Sequence, residues 1–106
     1  MNEPWTISRF QKQIEAIYYE RDAARGVQGT FIWLVEEIGE IARSLTSGEP
    51  GSEAEAAEFA DALAWLSTLA SLRGIDLEAA SVRKYGSGCP RCTETPCDCS
   101  HRQTTS

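Results

Sequence analysis

Two groups of side chains in this 106-residue chain have the types and spacing to do chemistry. The first is acidic: Glu36, Glu37 and Glu40 in FIWLVEEIGEIARSL, then Glu58 and Asp61 in EAAEFADALAWLSTLA. Carboxylates three and four residues apart share one face of a helix. If the two stretches lie side by side, four or five carboxylates meet in one pocket, which is unfavourable without a cation and favourable with one. All-oxygen ligands suit Mg²⁺, with Mn²⁺ as the close alternative. The second group is Cys89-x-x-Cys92-x-x-x-x-Cys97-x-Cys99, four thiols within eleven residues, with His101 as a substitute ligand. Its CPRC half has the knuckle form that turns tightly around a tetrahedral Zn²⁺. The single-residue spacer of its second half is less usual, and a reduced, unstructured tail is the bland reading. A helical di-iron centre would need a Glu-x-x-His pair on each of two helices. The chain has one histidine, in the tail.

The elements that must position these groups are helices. Ile7, Phe10, Ile14, Ile17 and Tyr18 recur at helical spacing, so a first helix runs to about Arg25, with Ser8 and Gln11 or Thr6 as its cap. Gly26 and Gly29 bracket a break. A second helix begins near Thr30 and runs to about Leu45, with a core stripe of Phe31, Leu34, Val35, Ile38, Ile41, Ala42 and Leu45. TSGEPGS, Thr46 to Ser52, is a loop short enough to set the next helix antiparallel. Ser52 and Glu55 cap a third helix that ends at Arg73 before Gly74, with Ala56, Phe59, Leu63, Leu66 and Ala70 as its stripe. Asp76 caps a short fourth helix, LEAASVRKY. The expected fold is all-α, a four-helix domain over residues 1–86. A Cys-rich segment follows at 87–101 and a disordered tail at 102–106.

Helical geometry decides where the acids point. With about 100° per residue and Glu36 at zero, Glu40 lies near 40° and Glu37 near 100°, while the apolar stripe centres near 190°. The acids are thus turned away from the stripe, which by itself describes a solvated face. Trp33, near 60°, sits among them. The third helix repeats the arrangement: with Glu58 at zero, Asp61 lies near −60° and Trp65 near −20°, while Phe59, Leu63 and Leu66 cluster near 110°. A solvated face seldom holds a tryptophan at its centre. A metal-bound nucleotide would use such a face, with carboxylates on the cations, cations on the phosphates and an indole on the base.

Composition limits the other classes. The formal charge is −6, from 16 acids and 10 bases, which argues against a binder of nucleic-acid polymers. The chain is 42% hydrophobic, yet its apolar runs are broken by acids before they could cross a bilayer. MNEPWTIS has no basic-then-apolar pattern of a secretory signal. Cysteines confined to one short segment fit a metal site in a reducing compartment, so a cytoplasmic location is expected.

Glu36 and Glu37-x-x-Glu40, followed after seventeen residues by Glu58-x-x-Asp61, resemble the E-E-x-x-E … E-x-x-D motif of the all-α nucleoside triphosphate pyrophosphohydrolases. That superfamily includes MazG proteins, dimeric dUTPases, dCTP pyrophosphatases and phosphoribosyl-ATP pyrophosphatases. The chain looks most like small MazG-like proteins: LVEEIGEIARSL, EFADALAWLSTLA, GIDLEAA and Lys84-Tyr85 extend the likeness over roughly residues 6 to 86. The resemblance implies a helical bundle that forms homodimers or homotetramers, and Mg²⁺-dependent cleavage of a nucleoside triphosphate between its α- and β-phosphates. It makes Glu37, Glu40, Glu58 and Asp61 the Mg²⁺ ligands, Glu36 a further ligand or the base for water, and Trp65 the contact to the nucleobase. Trp33 joins Trp65 on the substrate side, and Lys84, Arg21, Arg25 and Arg43 are candidate phosphate contacts. Arg43 has a plainer alternative in pairing with Glu40 or Glu36 along the helix. Phosphoribosyl-ATP as substrate, or a non-catalytic helical module acting through a zinc tail, are the other readings.

Overall fold

The computed structural model describes residues 3–100; His101 and the expected tail at 102–106 lie outside the described residues. Those residues form three α-helices and no strand: α1 (Ile7–Ser47), α2 (Glu53–Leu72) and α3 (Leu77–Tyr85). The all-α expectation holds. Two of the four expected helices are continuous, because α1 runs through the expected break and departs from helical geometry only at Gly26 (φ 87°, ψ 176°). That positive φ suits glycine. Gly29 stays helical, and its missing Cβ has another use: a Cβ there would lie 2.7 Å from Cγ of Arg25.

The helix ends follow local chemistry. Thr6, not Ser8, caps α1, its hydroxyl accepting from the Arg9 N–H at 3.0 Å. Ser52 caps α2 through the Glu55 N–H, and the Glu55 carboxylate reaches back to the Gly51 N–H at 2.8 Å. Gly74, at φ 72°, ends α2, and the Ile75 N–H donates to the Ala70 carbonyl at 2.8 Å, closing a Schellman turn. Asp76 then caps α3 by accepting from the Ala79 N–H.

One buried side chain holds the start of α1 to the α2–α3 turn. Gln11 donates from Nε2 to the Ser71 hydroxyl (3.0 Å) and the Ile75 carbonyl (2.9 Å), and accepts at Oε1 from the Leu77 N–H (3.0 Å). Ser71 in turn donates to Glu15 at 2.6 Å.

Packing departs from expectation at the apolar stripes. Phe31, Val35, Ile38 and Leu45 of α1, and Phe59, Leu63 and Leu66 of α2, were expected to form the core and are instead exposed. Among the described residues, Ile14 and Ala70 are the hydrophobic side chains that reach full burial. Helical periodicity identifies a stripe but not what covers it; here α1 and α2 meet through their polar faces, and both stripes look outward. The radius of gyration, 16.4 Å, exceeds the roughly 13 Å of a compact chain of about 100 residues.

Gln11→Ala should lower stability by about 2–3 kcal/mol, since it leaves the Leu77 N–H and Ile75 carbonyl unpaired in a partly buried turn. Urea unfolding followed by far-UV circular dichroism checks this.

Candidate functional site

Antiparallel pairing of α1 and α2 stacks two layers. In the first, Glu37 of α1 meets Glu58 and Asp61 of α2, with one carboxylate oxygen from each within 4.8 Å of the others. In the second, Trp33, one turn before Glu37, lies against Trp65, one turn after Asp61. Their ring centroids are 6.0 Å apart and the planes differ by 13°. Such a stack contributes about 0.5–1.5 kcal/mol beyond burial, and it holds the two acidic turns opposite each other.

The crowding shows in the protonation of Glu37. Hydrogen bonding of its carboxyl to Glu58, then burial, then repulsion from Glu58, Asp61 and Glu40 raise its pKa to about 7. When Glu37 is ionised, its Oε2 is buried with no donor. A buried carboxylate oxygen without a partner, facing two more carboxylates, is the environment a hard divalent cation satisfies.

Beside the acids opens a cavity of about 380 Å³, whose lining includes Tyr18, Arg21, Arg25, Glu37, Asp61 and Trp65. Arg25 is held in place there. Its Nη1 donates to Oδ1 of Asp22 (3.0 Å) and to the Thr30 hydroxyl (3.3 Å), and its guanidinium carbon sits 4.8 Å from the Trp65 ring centroid. Asp22, almost fully buried, also accepts from the Thr68 hydroxyl at 3.0 Å. The network ties both sides of the Gly26 kink to α2. Sequence reasoning singled out Arg21 and Arg25 in this stretch and gave Asp22 no such role. The available signal was the alternation of Asp22, Arg25 and Thr30 around a glycine.

The remaining expected site residues are placed differently. Glu40 is half-buried outside the three-acid group and pairs with Arg43 at 2.7 Å, the plainer of the two alternatives for Arg43. Glu36 is exposed. Lys84, exposed on α3, lies 5.7 Å from its neighbour's Tyr85 ring and does not line the cavity.

The four cysteines form a separate cluster with all Sγ atoms within 4.8 Å of one another. Cys89 and Cys99 Sγ are 3.8 Å apart, far beyond a disulfide bond. That is the edge, about 3.8 Å, of a tetrahedron with metal–sulfur bonds of about 2.3 Å. Backbone N–H groups of Asp98 and Cys99 donate to Cys92 and Cys97 Sγ at 3.2 and 3.3 Å. Backbone N–H donors from Cys92 and Arg91 lower the Cys89 pKa to about 6, whereas burial, followed by hydrogen bonds to the other three thiols, raises that of Cys99 to about 12. Gly88 closes the loop at φ 110°; a Cβ there would meet the Thr95 hydroxyl at 2.8 Å and the Thr93 carbonyl at 2.9 Å. Four thiols so placed can bind a soft metal such as zinc.

No protein-family model matches the chain, and no curated protein matches it. Among the described residues no helix is long and apolar enough to cross a membrane.

The raised pKa of Glu37 has a defined consequence for pH dependence. Its carboxyl keeps its proton in the folded state where the unfolded chain has lost it, so its stabilising contribution is full below about pH 4.5 and is lost as pH rises through about 7. In Glu37→Gln that component of the slope should vanish. Thermal melts of both proteins from pH 4 to pH 8, without divalent cations, measure the difference.

Proposed function

We propose that this chain is a MazG-like nucleoside triphosphate pyrophosphohydrolase, cleaving the α–β phosphoanhydride of an NTP or dNTP to a nucleoside monophosphate and pyrophosphate with Mg²⁺. The observation that carries the reading is the meeting of Glu37, Glu58 and Asp61 within 4.8 Å, with one buried carboxylate oxygen lacking a donor, at the wall of a cavity that also holds Arg21, Arg25 and Trp65.

The fit to a hard cation is good: three acidic oxygen donors and no nitrogen or sulfur among them. Glu37, Glu58 and Asp61 would hold Mg²⁺ or Mn²⁺, with Glu40 the next acid on the same helix. When bound, such a cation supplies screening of phosphate charge and acidification of a water. The chain's own groups do the rest. Glu36, which is exposed, and Glu37 are the two candidate bases for the attacking water, Glu37 only where its carboxylate is not engaged by the cation. Arg25, with Nη1 held by Asp22 and Thr30, is set to meet a phosphate or another acceptor with its remaining N–H groups. Arg21 adds positive charge at the same wall. Trp65 offers the aromatic surface for the base, supported by Trp33; a base entering against it meets the Arg25 guanidinium. Lys84 and Arg43 receive no step in this reading.

The Cys89, Cys92, Cys97 and Cys99 cluster is assigned structural Zn²⁺, which would hold the segment after α3 as one tight loop. Reduced, clustered thiols suit a cytoplasmic setting.

Purified protein with Mg²⁺ should release pyrophosphate from at least one member of an NTP and dNTP panel. Glu58→Gln and Asp61→Asn should each lower the rate by about a hundredfold or more, the scale of a lost charge in a preorganised site. Turnover of phosphoribosyl-ATP alone would move the assignment to that substrate. No pyrophosphate from any substrate, with both variants binding nucleotide as the wild type does, would favour a non-catalytic module. For the cysteine segment, metal analysis after chelator-free purification should find one zinc per chain. Cys92→Ser and the strained Gly88→Ala should both reduce that content; a value near zero in the wild type would defeat the zinc assignment.

A further inference from the structure

Arg25 sits at the indole end of the cavity rather than at its acidic end. Behind the acids and the indoles lies a third layer, Thr30 on α1 and Thr68 on α2, about 10 Å from the acids along either helix. Arg25 is anchored there. Its guanidinium carbon lies 4.8 Å from the Trp65 ring centroid, and its Nη1 donates to Thr30 (3.3 Å) and to Asp22 (3.0 Å). Buried Asp22 is fixed at its other oxygen by the Thr68 hydroxyl at 3.0 Å. Among the described residues Arg25 forms no ion pair with Glu37, Glu58 or Asp61. With Nη1 committed, Nε and Nη2 are the donors left for the cavity that Arg25 lines. Their N–H bonds run parallel in the guanidinium plane, a fork that matches two adjacent acceptors.

We infer that Arg25 reads the nucleobase, so that the site selects nucleotides whose base carries two adjacent acceptors on one edge. This rests on the cavity being a nucleotide site and goes further by naming the bases it takes. Phosphates held by a cation at the acids lie a helical turn or more from the anchored guanidinium, whereas a base on Trp65 lies beside it. Bidentate bonding needs base and guanidinium in one plane, which stacking on a shared indole supplies. The 6-oxopurines, guanine and hypoxanthine, present such a pair through O6 and N7. Cytosine presents one through N3 and O2. Adenine sets its amino donor beside N7 and N1, and uracil and thymine place an N–H between their two carbonyls. Each of these leaves one arm of the fork without an acceptor, and a desolvated donor left unpaired is what rejects a wrong base. Asp22 is then a positioning residue: it fixes which side of the guanidinium stays free.

The test uses the full-length protein with Mg²⁺ and the α,β-methylene triphosphates of guanosine, cytidine, adenosine and uridine, which resist cleavage at that bond. Titration calorimetry reads their affinities. The guanosine or the cytidine compound should bind about tenfold or more tightly than the adenosine and uridine compounds. Replacing the critical ring nitrogen of the preferred base by C–H, as 7-deazaguanosine or 3-deazacytidine, should remove that advantage in the wild-type protein. Arg25→Lys keeps the charge and loses the fork, so it should flatten the order of bases to within about threefold, and Asp22→Asn should do the same. Arg21→Lys, at the same wall, should keep the order. Equal affinities for the four bases, a preference for adenosine or uridine, or a preference that survives Arg25→Lys would overturn the inference. So would a uniform loss in Arg25→Lys with the order kept, which would make Arg25 a phosphate contact. Pyrophosphate release from the ordinary triphosphates is measured separately. Selective binding without release keeps this inference and removes the hydrolase; release without base preference does the reverse. No binding of any nucleotide overturns both.

Discussion

Three carboxylates forced together between two helices set the terms for the rest of this molecule. Two like charges 4 Å apart repel by about 4 kcal/mol at an effective dielectric of about 20, a large share of the roughly 5–15 kcal/mol that stabilises a typical domain. Packing of Trp33 on Trp65 recovers only about 1 kcal/mol of that. The protein relieves part of the strain by holding a proton on Glu37 near neutrality. A divalent cation would relieve more. Because the α1–α2 contact is given over to acids and indoles, the apolar stripes of the same helices have nowhere to go but outward. A polar interior contact and an apolar exterior are thus two sides of one arrangement.

Much of this was readable from residue order, and the failures have physical causes. The acids and tryptophans were assigned to one face of each helix by spacing, and the structure brings Glu37, Glu58, Asp61, Trp33 and Trp65 together. Caps at Ser52 and Asp76 and the stop at Gly74 were legible because each depends on its own few neighbours. What covers a stripe depends on a partner surface, and periodicity carries no information about that, so Phe31 and Phe59 were expected inside. Gly26 and Gly29 looked equivalent. In the fold one supplies a backbone angle and the other supplies space for Arg25. Whether Glu40 turns to the other acids or to Arg43 is a choice between two neighbours, and spacing allows both.

The cysteine segment obeys a different logic from the helices. It buries little, and its shape comes from short-range constraints: Gly88 at a positive φ, backbone N–H groups turned toward sulfur, and four thiols converging on one point.

The single irregular residue in α1 also fixes what evolution or an engineer can do with chain length. Gly26 takes up the whole change of direction between the two halves of a 41-residue helix, and everything after it is read in helical register. One residue added between Val27 and Trp33 would turn the downstream helix by about 100° relative to the kink. Glu37 would leave its partners on α2, and the apolar stripe would swing toward the acids. The stretch from Gly26 to Glu37 is therefore a ruler as well as a sequence, far more tolerant of substitution on its exposed side than of any insertion or deletion.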